Sequence, residues 1–208
     1  MESTSIPKKS TAKKVFALVT AAFAWAAVIV QYCIGNASVV NFLSYFTILC
    51  NLLVAVCLTF STLMPGRRVG KLFSGLSAQS AIAVYVFIVG LVYNTVLRGI
   101  WAPTGMAWLV DNTLHVVVPV LYLLYWALYR PHGALQWQSG FYWAVFPLLY
   151  LVYSLVHGAM VHWYPYPFID ADKLAYTRVF INAVVVTSAF VITGLIIVLI
   201  TRSGKRSL

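Results

Sequence analysis

Charge is scarce in this sequence, and negative charge scarcest: 9% of the 208 residues are charged, and Asp and Glu together number four. A soluble domain carries about 25% charged residues, so a hydrated globular surface is excluded. Cysteine is nearly absent too. Cys33, Cys50 and Cys57 all fall inside apolar runs rather than in polar loops at paired spacings, which argues against a disulfide or zinc framework and reads them as small packing residues. There is no internal repeat, no heptad pattern and no low-complexity tract. Long polar linkers are missing as well, and the one substantial loop, His162 to Ala175, is rich in proline and aromatics.

What the chain has instead is apolar length. Hydrophobic residues make up 62% of it, and a bilayer core of about 30 Å needs roughly 20 apolar residues per helix. Six apolar runs, 14–35, 41–64, 76–100, 106–129, 139–159 and 176–201, use almost all the residues. Pro65-Gly66-Arg67-Arg68, Trp101-Ala102-Pro103-Thr104-Gly105 and Arg130-Pro131-His132-Gly133 separate them with turn chemistry. The run Val15 to Ile34 is longer than the roughly 7–15 residues of a signal-peptide core, so it reads as the first membrane helix. The expectation is an all-α integral membrane bundle of six transmembrane helices. It is flanked by a disordered polar N-terminus over residues 1–13 and a basic tail over 202–208.

The formal charge of +10 does not point to nucleic acid, because the basic residues lie in short clusters between apolar runs. With alternate loops on alternate sides, Lys8, Lys9, Lys13, Lys14, Arg67, Arg68, Lys71, Arg130, Arg202, Lys205 and Arg206 share one side. Arg98, Lys173 and Arg178 take the other, a split of eleven to three among the 14 basic residues. Cytoplasmic loops of membrane proteins are enriched in Lys and Arg. The reading is therefore a multi-pass protein of the plasma (inner) membrane with both termini cytoplasmic, and five or seven spans would destroy the bias. Trp101, Trp108, Trp163 and Tyr164 outside, and Tyr129, Trp137, Tyr142 and Trp143 inside, fit interfacial aromatic belts.

Polar groups inside membrane helices are costly and mark pockets or packing contacts. Ser44, Thr47 and Asn51 recur at spacings of three and four on the second run, which puts them on one helical face. The third run carries Gln79, Ala83, Gly90, Asn94 and Arg98; the fourth Asp111, His115, Pro119, Tyr122 and Trp126; the fifth ends in His157. Most of these groups, with Asp111, Asp170 and Asp172, fall in the outer half, so a polar pocket opening outward is expected above a plainer inner half. Pro119 lacks an N–H and leaves the carbonyl of His115 without its helical partner, so a kink is expected there.

A serine or threonine hydroxyl becomes a nucleophile when a base within hydrogen-bond reach takes its proton, and histidine is the usual base. Ser44 with His115 forms a candidate dyad, with Thr47 one turn deeper as the rival nucleophile and Asp111, one turn before His115, to orient the imidazole. Asn51, Asn94 and Arg98 are candidate oxyanion or substrate groups, and Arg98 with Asp111 reads as a structural ion pair. His157 and Tyr166 are candidate substrate contacts. The substrate would be an amphipathic lipid or fatty-acyl ester taken from the bilayer, and no cofactor or metal is called for. A non-catalytic carrier or receptor for a small amphipathic ligand is the second reading. A haem held by His115 and His157 is the third.

The stretch Asn41-Phe42-Leu43-Ser44-Tyr45-Phe46-Thr47-Ile48-Leu49-Cys50-Asn51, the segment from Asp111 to Pro119, and Trp163-Tyr164-Pro165-Tyr166-Pro167-Phe168-Ile169-Asp170 resemble the prokaryotic six-span family called Pr6Pr. That family is similar in turn to the androgen-induced and androgen-dependent animal membrane hydrolases, which cleave fatty acid esters of hydroxy fatty acids. The resemblance covers helices two to six in order. It implies the six-helix fold, a nucleophile at Ser44 where the animal enzymes carry threonine, a base at His115, and a loop from His162 to Asp170 folded over the outer mouth. The step from His115 to Pro119 is shorter here than in the animal enzymes.

Overall fold

A computed structural model describes the backbone of residues 6–203 and the side chains of 10–203. The chain is all-α, and six of its helices are long and apolar enough to cross a membrane: Ser10–Ile34, Phe46–Leu63, Leu76–Leu97, Gly105–Tyr129, Trp137–Val161 and Tyr176–Ser203. It divides into two compact units, residues 1–37 with 47–132, and residues 38–46 with 133–208.

In the first unit, α1 (Ile6–Ile34) begins earlier than its apolar run. Residues 6–13, expected as disordered, continue the helix, because nothing between Ile6 and Ala12 breaks it beyond a proline in its first turn, where a missing N–H costs nothing. Residues 1–5 and the tail at 204–208 lie outside the described residues. One face of α1 is small: Ala17, Thr20, Ala21, Ala24 and Ala27 are all buried, and small residues let membrane helices approach closely. Trp25 Nε1 donates to Thr59 Oγ1 at 3.2 Å on α3 (Phe46–Leu63). The short helix α4 (Arg68–Ser74) leads into α5 (Leu76–Val92), which is buried along most of its length.

Two of the spans contain π-helical turns, one at its end and one in its middle. α5 passes into a π-helical turn at Tyr93–Leu97, and α6 (Gly105–Asn112) passes through a second one at Thr113–Val117 into α7 (Val118–Tyr129). The kink expected from Pro119 thus takes the form of a π turn. Proline cannot donate to the carbonyl of His115, and the backbone registers one residue further on, with Val118 N–H bonded to Thr113. The stripes on these spans face each other. Tyr122 donates its hydroxyl to the Gln79 carbonyl at 3.1 Å, and Trp126 Nε1 donates to Ser80 Oγ at 3.0 Å. A methyl added at Gly90 would lie 3.3 Å from the His115 carbonyl oxygen, so glycine lets α5 reach the π turn. Cys50 and Cys57 are buried and Cys33 is exposed, all as free thiols.

The second unit contains α2 (Val39–Leu43), α8 (Trp137–Tyr142), α9 (Val145–Val161), a short 3-10 turn at Pro167–Ile169 and α10 (Tyr176–Ser203). α8 and α10 cross at Gly140 and Gly194, where an added methyl on either would come within 3.2 Å of the other's backbone. Arg202 donates to the Leu135 carbonyl at 3.0 Å and lies over the Trp137 ring. In the loop before α10, Asp170 takes the Lys173 ammonium at 2.7 Å and the backbone N–H groups of Asp172 and Lys173. That carboxylate raises the Lys173 pKa. The outer faces of the spans, such as Phe180, Val185, Ile192 and Ile196 on α10, are exposed and apolar, as hydrocarbon solvent requires and water would not tolerate.

Candidate functional site

The helix expected at 41–64 is two pieces. α2 stops at Leu43, Ser44 is its C-cap, and α3 starts at Phe46. Ser44 Oγ donates to the Val40 carbonyl at 2.8 Å, the local bonding by which serine competes with helix continuation. Ser44 is therefore not part of the helix that carries Thr47 and Asn51, and its hydroxyl also lies 2.7 Å from the Tyr153 hydroxyl of α9. Tyr150 holds the Ser44 carbonyl at 2.7 Å. From Tyr153 the second unit's cluster continues through the His157 ring, stacked at 5.6 Å, to Trp163. Tyr166 is buried, with the Tyr45 ring edge-on at 5.9 Å and Phe168 stacked on it.

The first unit brings Thr47, Asn51, Asp111 and His115 together. His115, 9% exposed, sits in the π turn with Nε2 3.2 Å from Thr47 Oγ1. Its Nδ1 lies 2.8 Å from the Asp111 carbonyl and 3.2 Å from Asp111 Oδ1. Both Asp111 atoms are acceptors, so the ring proton belongs on Nδ1 and Nε2 is left as the acceptor facing the threonine hydroxyl. Tyr93 covers the imidazole, its ring stacked at 3.9 Å and 12°, and donates its hydroxyl to the other oxygen of Asp111. A hydroxyl, an imidazole and a carboxylate thus stand in sequence, the order in which a proton is taken from an attacking oxygen and the resulting cation stabilised.

The neighbouring polar groups are arranged differently from expectation. Asn51 is fully buried, and its amide N–H groups go to the Thr47 carbonyl at 2.8 Å and the Leu114 carbonyl at 3.1 Å, so it has no donor left for an oxyanion. Its Oδ1 is buried without a partner. Asn94 turns back to the Gly90 carbonyl at 2.7 Å. Arg98 does not make the expected ion pair with Asp111. It donates to Asn112 Oδ1 at 2.9 Å and rests over the Tyr93 ring, while Asp111 is taken by His115 and Tyr93.

Tyr93 and Tyr153 are the participants that the sequence did not single out. Each sits one residue or one turn from a residue that was, Tyr93 beside Asn94 and Tyr153 one turn before His157. Tyrosines are common at membrane interfaces, and nothing in composition separates these two from the other eleven of 13. The π turn at Thr113–Val117 is the second missed feature. Pro119 signals a disturbance, but not that the disturbance aims His115 at α3.

Fold and site together define a polytopic all-α membrane protein with a buried hydroxyl–imidazole–carboxylate relay. No family model, curated protein or solved structure matches the chain.

Proposed function

We propose that this protein is an intramembrane lipid-ester hydrolase of the kind that the resemblance to Pr6Pr implies, with Thr47 as nucleophile, His115 as general base and Asp111 as the group that orients it. The observation that carries the reading is the 3.2 Å approach of Thr47 Oγ1 to a His115 whose other nitrogen is held by Asp111. Ser44, the nucleophile by resemblance, has its hydroxyl on Val40 and Tyr153 instead, and tyrosine is a poor base near neutral pH. In the acylation step Thr47 Oγ1 attacks the ester carbonyl carbon as its proton passes to His115 Nε2. The tetrahedral intermediate collapses when that proton goes to the departing alkoxide, and water then cleaves the acyl-threonine by the same route.

The substrate is a fatty-acyl ester that reaches the site from the bilayer. The proposed setting is the plasma membrane with both termini cytoplasmic, following the eleven-to-three basic split. The test is hydrolysis of a long-chain ester and labelling by a fluorophosphonate in the purified protein. Thr47→Ala and His115→Ala are each expected to lose at least about 100-fold of the rate, of the order seen when members of such relays are removed, while Ser44→Ala keeps most of it. Full activity in Thr47→Ala overturns the assignment. The carrier reading gains if an amphipathic ligand binds tightly and is recovered unchanged from all variants.

A further inference from the structure

At the other end of the first unit from the Arg98 turn lies a cavity of about 200 Å³ walled by α1, the end of α3 and the turn that follows it, the end of α4, the start of α5, and α7. Its polar lining includes Ser10, Lys13, Lys14, Thr62, Ser74 and Gln79. The sequence predicts a plain, apolar half at this end of the helices, and the polar lining of the cavity departs from that. The volume is below the roughly 300–1,000 Å³ of pockets that enclose a drug-sized molecule, but it is many times the ~10–15 Å³ that admits a single water. A headgroup fits where a whole amphiphile does not.

Two features of the lining ask for a ligand. Lys13 is half-buried and Lys14 exposed, and neither has an ion-pair partner among the described residues. The three described carboxylates are all engaged elsewhere, Asp111 by His115, Asp170 by Lys173 and Asp172 by His162. The second feature is Gln79, which is 2% exposed. Its Nε2 donates to the Phe73 carbonyl at 3.1 Å, and its Oε1 is buried with no partner. Buried acceptors are as a rule hydrogen-bonded, and Gln79 lines the cavity, so a donor bound there would complete its bonding.

We infer that this cavity binds the phosphate-bearing headgroup of an anionic glycerophospholipid, with the phosphate on Lys13 and Lys14 and a headgroup hydroxyl donating to Gln79 Oε1. A phosphate anion supplies the missing counter-charge, and a hydroxyl supplies the missing donor. Choline lipids offer neither net charge nor a hydroxyl donor. A soluble phosphate ester has the same chemistry, and the experiment separates the two sources.

The full-length protein is purified in detergent and its thermal stability is followed on addition of phosphatidylglycerol, phosphatidylcholine, glycerol 3-phosphate or inorganic phosphate, with native mass spectrometry counting retained lipid. The expected result is one phosphatidylglycerol per chain, held at least about tenfold in preference to phosphatidylcholine. The preference is lost in Lys13→Gln/Lys14→Gln and kept in Lys71→Gln, which removes a charge that does not line the cavity. Thr62→Phe, which fills the cavity and leaves both lysines, is expected to lose it as well, and covers the case in which the double variant fails to insert. Equal stabilisation by millimolar glycerol 3-phosphate or phosphate supports the site and assigns it to a soluble ligand. Preference unchanged in Thr62→Phe, or lost equally in Lys71→Gln, means general surface attraction and overturns the inference.

Discussion

Both ring nitrogens of His115 are engaged, and this determines what its neighbours contribute. Nδ1 is held by Asp111, Nε2 faces Thr47, and the Tyr93 ring covers the imidazole while its hydroxyl holds the far oxygen of Asp111. In the proposed reaction Tyr93 touches no reacting atom and acts as a positioning residue for Asp111. Tyr93→Phe keeps the stacked ring and removes the hydroxyl, so the expected effect is a loss of about tenfold in kcat, near 1.4 kcal/mol, with KM little changed. A larger rise in KM than fall in kcat would place the hydroxyl in substrate binding instead. Asn51 acts differently. It bonds the Thr47 carbonyl and reaches across to the Leu114 carbonyl, tying α3 to the π turn. Asn51→Ala is expected to lower stability by about 1–2 kcal/mol, given that interhelical hydrogen bonds in membranes are individually modest. Thermal unfolding in detergent reads this, and an unshifted midpoint would show that the clamp adds nothing.

At the scale of the helix, close approach depends on residues with no side chain. Gly140 and Gly194 bring α8 against α10, with 2.9 Å between the Gly140 carbonyl oxygen and a methyl placed on Gly194. Backbone stands on both sides, so nothing flexible can yield. Gly194→Leu is expected to cost about 1–3 kcal/mol through overpacking and to lower the detergent-resistant fraction, whereas Ile192→Leu on the exposed face of the same helix leaves it unchanged. Equal loss in both variants would mean that α10 is sensitive along its whole length rather than at the crossing. The break between α2 and α3 belongs to this scale as well. A stripe of Ser44, Thr47 and Asn51 presumes one continuous helix, whereas Ser44 ends the preceding helix.

Across the whole molecule, hydrophobicity sets the number of long apolar helices, and the proposed direction of the spans rests on charge. Six runs of apolar residues become six helices of 18 to 28 residues, since backbone N–H and C=O groups in hydrocarbon must be satisfied within the helix. The orientation proposed from the basic split is directly measurable. Fluorescent-protein fusions at either terminus are expected to fluoresce and alkaline phosphatase fusions to stay inactive, with the reverse after Arg98 or within His162 to Ala175. An active phosphatase at either terminus would reverse the proposed topology.

The sequence by itself determined that the chain is helical, how many long helices it has, and which residue types stand at helical spacing on the third and fourth spans. These properties rest on local periodicity and on the intolerance of hydrocarbon for open backbone, and neither needs to know which helices are neighbours. Only the tertiary structure decided that Thr47 meets His115, that Ser44 meets Tyr153, and that Arg98 turns to Asn112 rather than to Asp111. Each depends on which way a side chain faces around its helix, and the break at Ser44 and the π turn at Thr113–Val117 change this in ways that apolar spacing does not encode. The basic cavity behind Lys13 arose the same way. Its charges are visible in the sequence as topology signals, but the space they border, and the unpaired Gln79 oxygen beside it, exist only after α1, α3 and α7 have packed.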